Sequence, residues 1–182
     1  MALDLPDRVS AAIAAWQAGA VGGREGLRAV GRGSLHVTLA FLGSRPEPDI
    51  EPLAGLLAAV EPRPVQLAFE REPVPVPRRR PNLFALSCPS EEAGALQAEL
   101  ASGLQSAGLY EPERRAFWPH VTVFRARRRA GRIRAPEPAP AGLTEPFGAV
   151  RVALYRSNLR PQGASYSRLA AIQLPQPSGQ KR

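Results

Sequence analysis

The sequence predicts a two-lobed fold of mixed helices and strands, with a pseudo-twofold relation between the lobes and a cleft between them. Three observations support this prediction. A strand–helix–strand order occurs in each half of the 182-residue chain, and each half contains one apolar run built on a histidine. Residues 2–6 (ALDLP) also match residues 85–89 (ALSCP) at an offset of 83, close to the offset of 84 between the histidines, which indicates an internal repeat.

The elements of the first half follow from apolar spacing and from the positions of Gly and Pro. Alternation and β-branched residues predict strands, apolar residues three and four apart predict helices, and Gly-rich or Pro-rich segments end both. The predicted elements are a strand (residues 2–5), a helix (about 6–17), a flexible basic loop (22–33), the first histidine strand (35–42), a helix (46–60) and a strand (65–70).

The second half repeats this order after residues 73–81, whose four prolines and three consecutive arginines indicate an extended connector. Ser90 is the predicted N-cap of its helix. The predicted elements are a strand (82–88), a helix (90–106), a loop (110–118), the second histidine strand (119–125), a basic loop (127–140), two strands (150–155 and 165–174) and a disordered tail (175–182). Residues 1–174 would then form one two-lobed domain.

Each histidine strand carries a threonine two residues after the histidine. Because residues i and i+2 of a strand point to the same face, His36 lies beside Thr38, and His120 beside Thr122, roughly 6–7 Å apart along the backbone. A single histidine in an apolar strand is more often a core residue than a functional one. The chain has only two histidines and three threonines, however, so the matched pair indicates one shared site.

Composition and charge restrict the class of protein. Acidic residues near the N-terminus do not fit a signal peptide, no apolar stretch is long enough for a membrane span, and the single Cys88 provides neither a disulfide nor a thiolate metal site. We therefore expect a cytoplasmic protein without a membrane partner. The net charge of +8 favours a polyanionic or phosphate-bearing partner.

Two imidazoles across a cleft are suited to displacement at phosphorus, because a neutral one can accept a proton from water while a protonated one donates to the leaving oxygen. The threonine hydroxyls could hold the phosphate oxygens, and nearby positive charge would stabilise the transition state. Two histidines without clustered acidic or thiol partners are too few for catalytic zinc. A serine-type triad does not predict two copies of one motif. We therefore expect phosphoester chemistry without a metal or cofactor.

The paired H-x-T-x motifs, apolar at x and about half a chain apart, resemble those of the two-histidine phosphoesterase superfamily. Within this superfamily, the chain resembles the RNA 2′,3′-cyclic phosphodiesterases, also known as 2′-5′ RNA ligases. The resemblance lies in residues 2–6, 35–43, and 154–157 with 163–166. The resemblance implies a bilobal α+β fold, with two antiparallel sheets flanking a central cleft and helices outside. It also implies metal-free opening of a terminal 2′,3′-cyclic phosphate to a 2′-phosphate, at RNA 3′ ends or on nucleoside 2′,3′-cyclic phosphates.

The four motif positions of the family fall on His36 and His120, the acid and base, and on Thr38 and Thr122, which would bind the phosphate. Sequence does not assign the acid and the base to one histidine or the other. Arg125 matches an arginine that commonly follows the second motif and would also bind phosphate.

Strict alternation has consequences for the residues that follow each motif. It places Arg125 on the face opposite His120, so its role requires a β-bulge or the end of the strand. It also places Phe124 on the His120 face, which makes Phe124 a candidate for stacking on a base, and Phe41 on the face away from His36. Other candidates for stacking on a base are Trp118, Tyr155 and Tyr166.

Other functions remain open at this stage. The same site could act on a small nucleotide such as an ADP-ribose cyclic phosphate, or in reversible 2′-5′ ligation. Alternatively, the chain could be a non-catalytic RNA-binding module, although a binder needs no matched acid and base. Retained affinity for long RNA at moderate salt would favour an RNA substrate. We expect a monomer.

Overall fold

The computed structural model describes residues 1–21, 26–127, 133–160 and 163–177. Within these ranges the α-helices are α1 (Asp7–Val21), α2 (Ile50–Ala58) and α3 (Glu91–Ser106). The strands are β1 (Ala2–Asp4), β2 (Leu27–Ala29), β3 (His36–Thr38), β4 (Gln66–Leu67), β5 (Val74–Val76), β6 (Leu83–Ser87), β7 (His120–Ala126), β8 (Phe147–Gly148), β9 (Arg151–Arg160) and β10 (Gly163–Gln173).

The strands of these ranges form two antiparallel sheets. The larger sheet has the order β10-β9-β1-β3-β7-β6-β5, and β2 also pairs with β7. The smaller sheet consists of β4 and β8. The prediction of an α+β fold with two antiparallel sheets is therefore confirmed.

The larger sheet is built from two related halves. In the first half β1 pairs with β3 and leads into α1, and Asp4 lies opposite His36. In the second half β6 pairs with β7 and leads into α3, and Ser87 lies opposite His120. Asp4 and Ser87 are equivalent in the sequence repeat, so the repeat corresponds to equivalent positions beside the two histidines.

The two halves meet where the histidine strands pair with each other. The pairing between β3 and β7 places Val37 opposite Val121, and both side chains are fully buried. On the same side of the sheet, α1 buries a stripe that includes Val9, Ile13 and Ala20. The core therefore lies on the face of the sheet opposite the histidines.

Two segments predicted as irregular contain strands. The predicted loop of residues 22–33 includes β2, which pairs with β7, and a 3-10 helix at Arg32–Ser34; residues 22–25 lie outside the described ranges. The predicted connector of residues 73–81 includes β5, which pairs with β6. Pro75 is tolerated there because β5 is at the edge of the sheet. Both strands are only three residues long and form because a neighbouring strand offers free backbone groups.

Several boundaries also differ from the prediction. Helix α1 continues past Gln17 to Val21, whereas the strand predicted over residues 65–70 is reduced to β4. Residues 128–132 of the predicted basic loop and 178–182 of the predicted tail lie outside the described ranges. None of the helices that the structure describes is both long and apolar enough to cross a membrane.

The valine pair at the centre of the sheet leads to a stability prediction. We expect Val121→Ala to lower the free energy of unfolding by about 2 kcal/mol, because it removes two buried methyl groups and leaves a cavity. Val76→Ala, at a half-buried position of the edge strand β5, should cost clearly less. Urea unfolding of the two variants gives the comparison, and equal losses would contradict this account of the core.

Candidate active site

The pairing of the histidine strands brings the four motif side chains together. In an antiparallel pair, the residues on either side of Val37 and Val121 oppose each other, so His36 lies next to Thr122 and Thr38 next to His120. Direct neighbours in such a pair are about 4.5–5.5 Å apart at Cβ, and diagonal neighbours, here the two histidines, about 7–8 Å. This spacing leaves room for one phosphate group between the imidazoles.

His120 is held by a hydrogen bond and by an aromatic ring. Its Nδ1–H donates to the carbonyl of Trp118 at 2.7 Å, and the Trp118 indole stacks on the imidazole with ring centroids 4.2 Å apart. The indole Nε1–H in turn donates to Oγ of Ser87 at 3.3 Å, on the strand opposite His120. Because the Nδ1 proton is committed to a carbonyl, Nε2 is the nitrogen that can exchange a proton with a ligand.

His36 has a corresponding environment in the other half. Tyr155 stacks nearly parallel to the imidazole at 6.2 Å, and Tyr166 meets it edge-on at 4.9 Å. The Tyr155 hydroxyl donates to Oδ1 of Asp4 at 2.6 Å, and Arg151 Nε lies 3.1 Å from Oδ2 of the same carboxylate. Each imidazole thus stacks on an aromatic side chain, Tyr155 or Trp118. The polar atom of that side chain hydrogen-bonds to the residue opposite the histidine on the neighbouring strand, Asp4 or Ser87.

Both imidazoles have lowered pKa values. Burial lowers the pKa of His36 to about 4, and the positive charges of the N-terminal amine, Arg125 and His120 contribute to this decrease. Burial also lowers the pKa of His120, as does Arg115, while the hydrogen bond to the Trp118 carbonyl and the charge of Glu113 act in the opposite direction. At neutral pH both histidines are therefore mainly neutral, and an anion bound between them would favour protonation of one.

A β-bulge changes the face on which the residues after Thr122 lie. Ala85 of β6 is opposite Thr122, but the next residue, Phe84, is opposite Phe124, so Val123 is an extra residue on β7. Cross-strand partners share a face, so every residue after the bulge is shifted by one position relative to strict alternation. Arg125 therefore lies on the His120 face, where its side chain is exposed.

The same bulge corrects the prediction for Phe124. Its side chain is 0% exposed and meets Trp16 of α1 edge-on at 5.3 Å in the core. A base cannot reach it, so the predicted stacking role of Phe124 is wrong. Strict alternation does not hold through the bulge, which is why it assigns Phe124 to the wrong face. The β-bulge that a phosphate-binding role of Arg125 requires is present.

Phe41 is the aromatic residue that sequence reasoning missed. Strand β3 ends at Thr38, so alternation no longer determines where Phe41 points, and its side chain is 75% exposed. It lines a cavity of about 730 Å³ next to His36 and Thr38, together with Tyr155 and Tyr166. This volume is within the usual range for small-ligand sites. The sequence contains no clear signal for the early end of the strand.

The polar groups of the site are suited to an anion. Imidazole, hydroxyl and guanidinium groups all donate hydrogen bonds to phosphate oxygens, and Arg28 of β2 lies opposite Arg125 on β7, which adds positive charge. In the parts of the chain that the structure describes, no group of three or more His, Cys, Asp or Glu residues is placed to hold a metal ion. The residues present therefore favour a phosphate-bearing ligand.

Comparisons with known proteins agree with these features. The sequence model of the 2′-5′ RNA ligase superfamily matches residues 5–159. A Geobacillus stearothermophilus protein named RNA 2′,3′-cyclic phosphodiesterase is 32% identical over 146 residues, or 76% of this chain, but the match covers only 45% of that protein's length. Among solved structures, TT0787 of Thermus thermophilus has a TM-score of 0.80 at 27% identity, covering 95% of each chain. Escherichia coli LigT complexed with NADP+ has a TM-score of 0.74 at 25% identity, covering 95% of this chain and 94% of LigT.

Proposed function

Because the chain belongs to the 2′-5′ RNA ligase superfamily, we propose that it hydrolyses the 2′,3′-cyclic phosphate at the end of an RNA to a 2′-phosphate. In this proposal His36 and His120 are the general acid and base, and no metal takes part. The observation that carries it is the register between β3 and β7, which makes the two histidines diagonal neighbours on one face of the sheet, each with a threonine beside it.

The proposed reaction is a single in-line displacement. The oxygen of a water molecule attacks phosphorus while a neutral imidazole accepts one of its protons. The bond between phosphorus and O3′ breaks, and the second imidazole, which is protonated, transfers its proton to O3′. The first imidazole ends protonated and the second neutral, and exchange with solvent restores the starting state. Either histidine could occupy either role, so the assignment stays open.

The residues around the two histidines would stabilise the transition state. The hydroxyls of Thr38 and Thr122 would donate to the non-bridging oxygens and so hold phosphorus in line. The guanidinium of Arg125 would balance the additional negative charge that develops on these oxygens. The exposed side chain of Arg125, on the His120 face of β7, supports a role on a phosphate bound between the histidines.

The cavity beside His36 would receive the terminal nucleoside. Phe41 offers an exposed ring at its rim, and stacking on aromatic rings is the usual way in which proteins hold unpaired bases. The name of the Geobacillus relative and the NADP+ bound to LigT support a ligand of the nucleotide type. The net charge of +8 favours RNA over a neutral substrate.

Replacing either histidine should nearly abolish turnover. We expect His36→Ala and His120→Ala each to lower kcat by at least about 10²–10⁴-fold, the range that general acid–base catalysis provides. Hydrolysis of an RNA oligonucleotide ending in a 2′,3′-cyclic phosphate, with EDTA present throughout, is the measurement, and resolving the 2′- from the 3′-phosphate identifies the bond that breaks.

The same assay separates this proposal from its rivals. Wild-type turnover to the 2′-phosphate in EDTA, lost in both variants, is the expected result. Binding of the oligonucleotide without any turnover would favour a non-catalytic RNA-binding module. Turnover that EDTA removes, or that survives both substitutions, would overturn the paired-histidine mechanism.

The lowered pKa values predict the pH dependence of kcat/KM. The reaction needs one protonated and one neutral histidine, and in the free protein this combination is most populated between two pKa values that both lie below 6.5. We therefore expect a maximum of kcat/KM below pH 6.5 and a decline of about tenfold per pH unit above the higher pKa. A pH–rate profile at constant ionic strength measures this, and a maximum above pH 7.5 would contradict it.

The stacking role of Phe41 can be tested by truncating its side chain. We expect Phe41→Ala to raise KM by about tenfold or more with little change in kcat, because stacking contributes about 1–3 kcal/mol per base. Phe41→Tyr preserves the ring and should behave like the wild type. Because Phe41 is exposed, neither substitution should change the melting temperature, and an unchanged KM in Phe41→Ala would refute the role.

A further inference from the structure

A polar side chain lies where the core face of α1 meets the β-bulge on β7. Gln17 continues the buried stripe of Val9 and Ile13 at helical spacing, and only 2% of its surface is exposed. Polar side chains are rarely buried to this extent unless their hydrogen bonds are satisfied inside the protein. The partners of Gln17 therefore indicate what the side chain does.

The carboxamide of Gln17 connects the bulge to the neighbouring strand. Its Nε2 donates to the carbonyl of Val123, the extra residue of the bulge, at 2.5 Å, and to the carbonyl of Val30 at 3.2 Å. The backbone N–H of Val30 donates to the same Val123 carbonyl at 2.9 Å. The bulge leaves Val123 without a partner on β6. On its other side the Val30 N–H continues the register of β2 with β7, and Gln17 adds a second donor to the Val123 carbonyl.

The residue before Gln17 supports the same bulge from the apolar side. Trp16 packs edge-on against Phe124, the residue that the bulge turns into the core. Two consecutive residues of α1 thus contact two consecutive residues of β7, immediately before Arg125. A strand without the bulge would bury Arg125 and expose Phe124, so these contacts favour the register that places Arg125 on the histidine face.

We propose that Gln17 is a positioning residue, whose carboxamide holds the bulge at Val123 and thereby directs Arg125 toward the phosphate between the two histidines. The part of this proposal that concerns turnover rests on the proposed function. The placement of Arg125 does not, because it is a property of the free protein.

The kinetic test compares Gln17→Met with Arg125→Ala and with the double variant. Met has a similar size but cannot donate, so the bulge loses one donor while the core stays filled. We expect Arg125→Ala to lower kcat by about 10²–10³-fold, and Gln17→Met to lower kcat by about tenfold or more with KM nearly unchanged. In the Arg125→Ala background, Gln17→Met should cause no additional loss, because the group that it positions is already absent.

Ile13→Ala is the matched control. Ile13 is fully buried one turn before Gln17 on the same stripe, and Ile13→Ala lowers stability without removing a hydrogen-bond donor from the bulge. Assays run at a temperature where circular dichroism shows all variants folded should leave kcat of Ile13→Ala close to that of the wild type. Losses of kcat that multiply in the double variant, or an unchanged kcat in Gln17→Met, would overturn the proposal.

A measurement on the free protein keeps this test independent of turnover. The positive charge of Arg125 contributes to the lowered pKa of His36, so moving or removing the guanidinium should raise that pKa. In an NMR titration we expect Arg125→Ala and Gln17→Met both to raise the pKa of His36, and Ile13→Ala to leave it unchanged. If the wild type hydrolysed no cyclic phosphate but these shifts were observed, the proposed function would fail and the positioning role would stand. No shift in Gln17→Met would refute the positioning role.

Discussion

The pairing of Val37 with Val121 is the constraint on which the candidate site depends. Because side chains alternate along a strand, this one contact determines that His36, Thr38, His120 and Thr122 share the opposite face. A slip of one residue in either strand would turn its histidine and threonine toward the core and its valine away from the core, so burial of both valines strongly favours the observed register. The geometry of the polar site is in this way a consequence of apolar packing on the other side of the sheet.

The two halves of the larger sheet surround their histidines with different residues. Tyr155 and Asp4 surround His36, while Trp118 and Ser87 surround His120. Covering an imidazole with rings removes water from it, which disfavours its charged form and lowers its pKa. The carboxylate of Asp4 does not reverse this effect on His36, because it is already engaged by the Tyr155 hydroxyl and by Arg151. Both imidazoles are therefore mainly neutral in the free protein, and an anion bound between them would favour protonation of one.

The sequence was sufficient for features that depend on local periodicity. The faces of the histidines and threonines and the helices after β1 and β6 follow from residue spacing within one element. The internal repeat follows from matching segments in the two halves of the chain. Features that depend on a partner strand were not predictable in this way. The strands β2 and β5 exist because β7 and β6 offer them backbone groups. The exposure of Phe41 depends on where β3 ends, and the burial of Phe124 depends on the register between β6 and β7.

The spacing between His120 and Arg125 does not fit a regular strand and therefore indicates an irregularity in β7. Arg125 follows His120 by five residues, and an odd offset places two residues on opposite faces of a regular strand. An arginine at this spacing can share the histidine face only if the strand contains an irregularity, and a β-bulge removes a buried carbonyl from its regular ladder position. That carbonyl needs donors, because an unsatisfied buried polar group is costly. The buried Gln17 of α1 therefore accompanies the odd spacing between His120 and Arg125 on β7. With an even spacing, neither the bulge nor the buried amide would be required.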